Sequence, residues 1–255
     1  MSSFASYPSL SGRTVFVSGG GSGIGASIVE HFAEQGAKVG FVDIDEAASR
    51  ALVEKIEARR LTVPLFVPCD IRDIAAYQRA IEEVAAKLGT ITVLVNNAAR
   101  DDRHTIDQVT PDFWDERIAV NLRHAYFAIQ TVAPAMKKAG GGSIVNFSSV
   151  SYHTMTPNLS VYQAAKAAVI GMTRGLARDL GGDGIRLNAV TPGWIMTQRQ
   201  LDLWVTPEAR AAQLNAQCLK ELLHAPDIAR MVLWLAADDS RLVTAQNFVI
   251  DGGRI

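Results

Sequence analysis

The sequence predicts an α/β fold: a single doubly wound domain in which a parallel seven-stranded sheet is flanked by helices on both faces. Three observations carry this reading. Short β-branched runs alternate with helical patterns over most of the 255 residues. The runs are apolar throughout, not alternately apolar and polar, as expected of strands covered on both faces. No repeat, low-complexity tract or Pro/Gly-rich linker divides the chain, so residues 1–255 read as one domain.

The elements follow in order. Thr14–Ser18, Lys38–Val42, Val63–Val67, Val93–Asn96, Ser143–Phe147, Arg186–Val190 and Asn247–Ile250 read as buried strands. Gly25–Gln35, Glu46–Arg59, Ile74–Leu88, Pro111–Lys138, Ser160–Leu180 and Pro226–Ala237 read as helices between them. Strand and helix in alternation imply right-handed crossovers and a parallel sheet. Residues 194–223 break the rhythm, holding Trp194, Met196, Trp204 and many polar side chains but no strand pattern. An insertion of this kind reads as a lid or substrate loop.

Composition removes whole classes of function. With 48% apolar and 20% charged residues the chain resembles ordinary globular proteins. A net charge of −1 gives no reason to expect nucleic acid or a membrane surface as partner. No apolar run is long enough to span a bilayer, and Met1–Leu10 lacks the basic start and apolar run of a secretion signal. Cys69 and Cys218 form no Cys-x-x-Cys pair and read as reduced thiols, which implies the cytoplasm. His31, His104, His124, His153 and His224 show no metal-ligand spacing, and no metal is expected; His31 reads as structural.

The first strand runs into Ser18-Gly-Gly-Gly-Ser-Gly-Ile-Gly25 and then a helix. Glycines there let backbone approach a pyrophosphate, and the helix start offers free N–H groups and partial positive charge. Gly19, Ser22, Gly23, Ile24 and Gly25 are therefore cofactor-binding candidates. Asp43 stands twenty residues after Gly23 at the end of the second strand. A carboxylate there would accept from ribose hydroxyls and repel a 2′-phosphate, favouring NAD over NADP; alternatively Asp43 or Asp45 only caps the next helix. No Lys or Arg lies in the turn or directly after Asp43, and the absence of Gly-Lys-Ser/Thr excludes a Walker loop. Asp70, followed by Ile71, either meets an adenine amino group or caps the helix after it. Asn96-Asn97-Ala98-Ala99 ends the fourth strand with small residues over which a cofactor can lie.

Tyr162 and Lys166 are four apart in a predicted helix, so their side chains share a face. A phenol of pKa ~10 is a poor base at neutral pH, and a neighbouring cation favours its phenolate. Ser149, thirteen residues upstream, can offer a hydrogen bond to a substrate oxygen. Ser148 is one step out of register and points to the opposite face; Tyr152 has no lysine four residues on, and Ser143 and Ser151 fail on spacing.

Taken together, these motifs resemble the short-chain dehydrogenase/reductase family, from about residue 12 to residue 253. The glycine turn, Asp43, Asp70, Asn96-Asn97-Ala98, Asn121 in Val-Asn-Leu, Ser149, Tyr162/Lys166 and Pro192-Gly193 stand in the family's order and spacing. Two positions depart from it: Ser18 where the family usually has Thr, and Ala99 where it has Gly. The resemblance implies a Rossmann-type dinucleotide fold and hydride transfer, with Tyr162 as base, Ser149 orienting the substrate oxygen and Lys166 holding the nicotinamide ribose. Bringing the phenol from ~10 toward ~7 needs ~4 kcal/mol of phenolate stabilisation, for which Lys166 and the nicotinamide charge are the sources. Asn121 is expected to hold a water that links Lys166 to solvent; without the resemblance it reads equally as a polar residue inside the helix 111–138. Pro192, Gly193, Ile195 and Thr197 are expected at the carboxamide, and a homotetramer is the family's usual assembly.

Within the family, Asp101-Asp-Arg-His104, Trp114-Asp-Glu-Arg117, Val120-Asn-Leu-Arg-His124, Ala216-Gln-Cys-Leu-Lys220 and Tyr7-Pro-Ser-Leu10 resemble bacterial aldose 1-dehydrogenases acting on D-xylose and related sugars. That implies oxidation of an aldopyranose at C1 to a lactone. His104, His153, Asn158, Gln163, Trp194 and Arg199 are the candidate sugar contacts. Two alternatives stand beside this: an alcohol or 3-oxoacyl reductase on the same scaffold, and a non-catalytic dinucleotide sensor. The polar residues of 194–223 count against an acyl chain. The intact Ser149, Tyr162 and Lys166 count against a sensor.

Overall fold

Every apolar run becomes a strand of one sheet in the computed structural model, which describes residues 4–255; Met1, Ser2 and Ser3 of the amino-terminal segment lie outside the described residues. The strands are β1 (Thr14–Ser18), β2 (Lys38–Asp43), β3 (Leu65–Pro68), β4 (Ile91–Asn96), β5 (Gly142–Phe147), β6 (Ile185–Pro192) and β7 (Asn247–Ile250). They pair in the order β3-β2-β1-β4-β5-β6-β7, every pair parallel. The helices are α1 (Gly23–Glu34), α2 (Glu46–Ala58), α3 (Ile74–Leu88), α4 (Pro111–Ile118), α5 (His124–Lys138), α6 (Ser160–Leu180), α7 (Gln198–Leu203), α8 (Pro207–Ala216) and α9 (Ala225–Ala236).

Two cores explain why the strands lack alternation. Val15 and Val17 of β1, with Val93 and Val95 of β4, pack under α1, α2 and α9 through Ile28, Phe32, Ile56 and Val232. Phe16 and Leu94, pointing the other way, pack under α3 and α5 through Tyr77, Ile81, Ile129 and Met136. Each strand residue is thus claimed by one core or the other, and no face of the central strands is left to water.

Helix starts follow local chemistry. The Asp45 side chain accepts from Ala48 N at 3.0 Å and that of Asp73 from Ala76 N at 3.0 Å, starting α2 and α3. Thr110 caps α4, with Pro111 at its first position; Thr197 and Thr206 cap α7 and α8. The segment 194–223 is therefore largely helical.

The structure corrects one long element. The expected helix 111–138 is interrupted by a π-helical turn at Ala119–Arg123. The Asn121 amide donates to Arg117 O, one turn back, at 3.0 Å and to Arg100 O at 3.1 Å, while its oxygen accepts from Arg100 N at 2.9 Å. A side chain that competes for the carbonyl four residues back widens the turn by a residue.

A buried polar junction holds the centre. Asn96 of β4 donates to the Asn146 oxygen of β5 at 2.8 Å, Asn146 donates to Thr173 Oγ1 of α6 at 3.0 Å, and Thr173 donates to Val169 O at 2.7 Å. All three side chains are buried. Asn146→Ala removes both bonds and strands the Asn96 amide, so urea unfolding should report a loss of about 2–4 kcal/mol. A loss under about 0.5 kcal/mol would show the junction to be energetically idle.

Candidate active site

The sheet order places β1 between β2 and β4, so the crossovers run in opposite directions from the β1/β4 pair and a crevice opens at its carboxyl end. Ser18 Oγ accepts from Asn97 N (3.1 Å) and Ala98 N (3.2 Å), and Asn97 Nδ2 donates to Ser18 O (3.1 Å) and Gly19 O (2.9 Å). Gly19 sits at φ +67°, and a Cβ on Gly25 would fall 1.8 Å from Gly19 O. Only glycine lets the turn fold onto the helix this closely. Ser22 precedes α1 without capping it through its side chain, and the first turn carries no acid. The free N–H groups there suit a phosphate.

Asp43 and Asp45 divide the two roles considered for them. Asp45 caps α2. Asp43 instead accepts from Gly21 N (2.8 Å) and Asp45 N (3.0 Å), which fixes its carboxylate beside the glycine turn. Asp70 does not cap α3 either, since Asp73 does. Its carboxylate accepts from Arg72 Nη2 at 2.6 Å and Nε at 3.0 Å, and the Arg72 side chain holds its pKa below the usual carboxylate range.

A cleft of about 830 Å³ runs over the sheet edge, within the size range of small-ligand sites. Every residue assigned above to the dinucleotide lines it, as do Ser149, Trp194 and Arg199. The glycine turn, the uncapped start of α1, Asp43 and the long cleft fit a dinucleotide.

At the other end of the cleft, α6 presents Tyr162 and Lys166. Lys166 is buried, with Nζ donating to Phe147 O at 2.9 Å and lying 5.7 Å from the Tyr162 ring centroid. Burial brings its ammonium from 10.5 down to about 7. Tyr162 moves the opposite way from the sequence expectation. Burial, and then the Asp101 carboxylate, hold its phenol above its ordinary value, while a hydrogen bond with Ser149 and the charge of Arg103 pull it back. In the chain by itself, desolvation outweighs the groups that favour the phenolate. Ser148, expected on the opposite face, also lines the cleft, and its Oγ donates to Lys166 O at 2.7 Å, which ties α6 to the end of β5.

Five candidates lie off the cleft wall. His104 is buried, not open to a substrate: Val161 N donates to its Nε2 at 3.3 Å, so Nδ1 carries the proton and donates to Asp102 O at 3.1 Å. His153 is exposed against the Tyr152 ring. Asn158 is exposed and uses its carbonyl to accept from His104 N at 2.9 Å. Gln163 clamps the loop before α6, donating to Ser151 O (2.9 Å) and Thr156 O (2.7 Å). None of the four lines the cleft. Asn121 is also outside its wall, its carboxamide spent on Arg100 and Arg117.

Trp194 and Arg199 line the cleft and bring partners the sequence reading passed over. Trp194 Nε1 donates to Gln200 Oε1 (2.8 Å), and Gln200 Nε2 donates to Asp101 (2.8 Å). Arg199 pairs with Asp101 (3.4 Å) and Asp102 (3.0 Å). From there a chain of ion pairs runs back to the far end of the cleft: Asp102 to buried Arg117, Arg117 to Glu116, Glu116 to Arg72 and Arg72 to Asp70. The available signal for Asp101 and Arg103 was position, directly after a strand end at the crevice. Among the described residues no cluster of His, Cys, Asp and Glu could hold a metal, and no helix is long and apolar enough to cross a membrane.

A family model described as enoyl-(acyl carrier protein) reductase matches residues 19–254. The chain belongs to the short-chain dehydrogenase/reductase family. It is 51% identical over 247 residues to the probable galactose dehydrogenase GalD of Rhizobium meliloti (strain 1021), covering 97% of this chain and 96% of that one. It is 48% identical over 251 residues to D-xylose 1-dehydrogenase of Caulobacter vibrioides (strain NA1000 / CB15N), covering 98% and 99%. Among solved structures it is similar to a 7α-hydroxysteroid dehydrogenase complexed with NADH and 7-oxo glycochenodeoxycholic acid (TM-score 0.91, 30% identity, 96% and 94% covered). A 3-oxoacyl-[acyl-carrier protein] reductase with bound NAD from Brucella melitensis superposes with a TM-score of 0.89 at 31% identity, covering 100% and 98%. The chain is therefore an oxidoreductase of a family whose members bind nicotinamide dinucleotides, and its near relatives are sugar dehydrogenases.

The buried lysine has a thermodynamic signature. Its folded pKa lies below its unfolded value, so between about pH 7 and 10.5 the unfolded chain binds more protons and stability falls as pH falls. Lys166→Met lacks this titration. Urea unfolding near pH 7 and about pH 9.5 should show the variant gaining on the wild type at the lower pH; a constant difference would mean that Lys166 titrates normally.

Proposed function

We propose that this enzyme oxidises an aldopyranose at C1 to its lactone with NAD as acceptor, Tyr162 serving as general base. The observation that carries this is Tyr162 at the end of the cleft, its ring 5.7 Å from the Nζ of buried Lys166 and sharing the cleft wall with Ser149. It stands in a chain about half identical, over nearly its full length, to sugar dehydrogenases.

The chain's residues divide the work. Gly19 to Gly25 and the start of α1 hold the pyrophosphate, Asp43 the adenosine ribose, Asp70 and Ile71 the adenine, and Asn97 and Ala98 the floor beneath. Lys166 and Tyr162 take the nicotinamide ribose, and Pro192, Gly193, Ile195 and Thr197 the carboxamide. The bound dinucleotide supplies a hydride acceptor and a positive charge. Ser149 and Tyr162 grip the C1 hydroxyl. As its O–H bond breaks toward the Tyr162 oxygen, the C1–H pair leaves as hydride and the C1–O double bond of the lactone forms. Ser149 donates where charge develops on that oxygen. The phenol, raised in the chain alone, needs the nicotinamide charge to become a base near neutral pH. Asn121 contributes by holding Arg100 through both backbone groups, which positions Asp101 and Asp102.

Residues 194–223 act as a lid, with Trp194 and Arg199 toward the sugar. Their polar wall, including Gln200 and Gln213, suits a hydroxylated substrate better than an acyl chain. Asp43 excludes a 2′-phosphate and makes NAD the preferred cofactor over NADP. The assembly is a homotetramer and the compartment the cytoplasm.

A panel of pentoses, hexoses and 6-deoxy sugars, each with NAD and NADP, tests the reading. Reduction of NAD by pentoses or galactose-type sugars is expected, and silence across the panel ends it. Tyr162→Phe should lower kcat by ~10²–10⁴ while leaving dinucleotide binding intact; near-normal turnover removes Tyr162 as base. Asp43→Ala should weaken NAD binding and narrow the NAD/NADP ratio. If that ratio stays unchanged, the carboxylate serves only the glycine turn.

A further inference from the structure

Among the cations on the cleft wall, one stands apart. Arg72 is matched by Asp70 and Glu116, Arg100 by Asp102, and Arg199 by Asp101 and Asp102. Lys166 rests on the Phe147 carbonyl and Arg254 on the Gln213 side-chain carbonyl. Arg103 has no carboxylate partner among the described residues. Its one hydrogen bond, Nη1 to Pro157 O, is 3.5 Å long, and its Nε is buried without an acceptor.

A guanidinium carries five N–H donors in a fixed fork, and buried donors left unmade are costly. Its position is nevertheless fixed. The Arg103 carbon lies 5.0 Å from the ring centroid of Trp204, at the end of α7, in a cation–π contact. The fork is therefore oriented before any ligand arrives, and it stands near enough to Tyr162 for its charge to act on the phenol. Asp101, two residues earlier, already gives its oxygens to Arg199 and Gln200. A polyol entering this end of the cleft finds an acid that is occupied and a guanidinium that is not.

We propose that Arg103 is the specificity-determining donor of this site. It gives hydrogen bonds to ring and hydroxyl oxygens of the substrate held at Tyr162, and so selects oxygen-rich substrates over acyl or steroid ones. This rests on the sugar reading above. An apolar substrate would bury the same donors without satisfying them, and discrimination built on unmet donors is strong. A purely structural Arg103, holding Trp204 alone, would be replaceable by any cation.

Steady-state kinetics with D-xylose and D-galactose on wild type, Arg103→Lys and Arg103→Met separate these cases, with thermal unfolding and dinucleotide binding as controls on folding. Arg103→Met should raise the sugar KM by about 10–100-fold, with a smaller change in kcat and a dinucleotide KM within about twofold of wild type. It should also move the acidic limb of the kcat/KM profile to higher pH, because a cation that favours the phenolate is gone. Arg103→Lys keeps the charge over Trp204; it should restore the pH limb but not the sugar KM, since an ammonium lacks the planar fork. A sugar KM within about twofold of wild type in the lysine variant overturns the proposal, as does a dinucleotide KM that rises in step with the sugar KM. If the methionine variant does not fold, the lysine variant decides by the same criterion. Wild-type enzyme silent across the whole sugar panel overturns the sugar reading and this proposal with it, whereas active wild type with unchanged variants overturns only the role of Arg103.

Discussion

The pairing of β1 with β4 is the joint on which this molecule depends. A parallel sheet returns every strand in one direction, so all strand ends arrive at one edge. Only where the order reverses do the connections part and leave a crevice. The Ser18–Asn97 exchange of hydrogen bonds closes that joint at its lip. The Asn96–Asn146–Thr173 junction carries the same alignment across β5 into α6. The helix bearing Tyr162 and Lys166 is thus referenced to the strands that floor the glycine turn. Ends of the cleft far apart in sequence share one rigid origin.

Electrostatics inside the cleft follow from burial more than from pairing. Desolvation alone brings Lys166 to about 7, and the same cause drives Tyr162 upward. Neither shift favours a standing phenolate, so the chain keeps a neutral phenol until further positive charge enters the site. Asp101 and Arg103 act on that phenol in opposite senses from one short loop. Asn121 fixes the loop's first residue from within the π-helical turn.

How much was legible in the sequence depended on how local each cause is. Two-sided burial leaves its mark on composition, which is why the strand set was readable within a few residues. β6 extends to Pro192 because Thr191 and Pro192 find partners in β7, a pairing invisible along one chain segment. The glycine turn and Asp43 were readable because a phosphate-binding turn constrains successive residues. The break at 119–123 was not, because an Asn inside a helical pattern reads the same whether its side chain faces water or takes the carbonyl four residues back. His104 and Gln163 were misplaced for one reason: a polar residue in a loop has the same local pattern whether it faces a ligand or satisfies a carbonyl. The buried Arg117 was equally hidden, because its partner Asp102 arrives from the loop after β4.

The proposed lid is built unevenly, and the unevenness suits passage of a ligand. Its base is tied by a parallel bridge between Ile195 and Leu223, with Met196 N donating to Leu223 O at 2.9 Å and both Ile195 and Met196 buried. Its α7 face is held by Arg199, a side chain 46% exposed, to carboxylates 20% and 27% exposed. Pairs this wet contribute about 0–1 kcal/mol each. Releasing α7 from the Asp101–Asp102 loop therefore costs far less than unseating the base, where apolar surface would meet water.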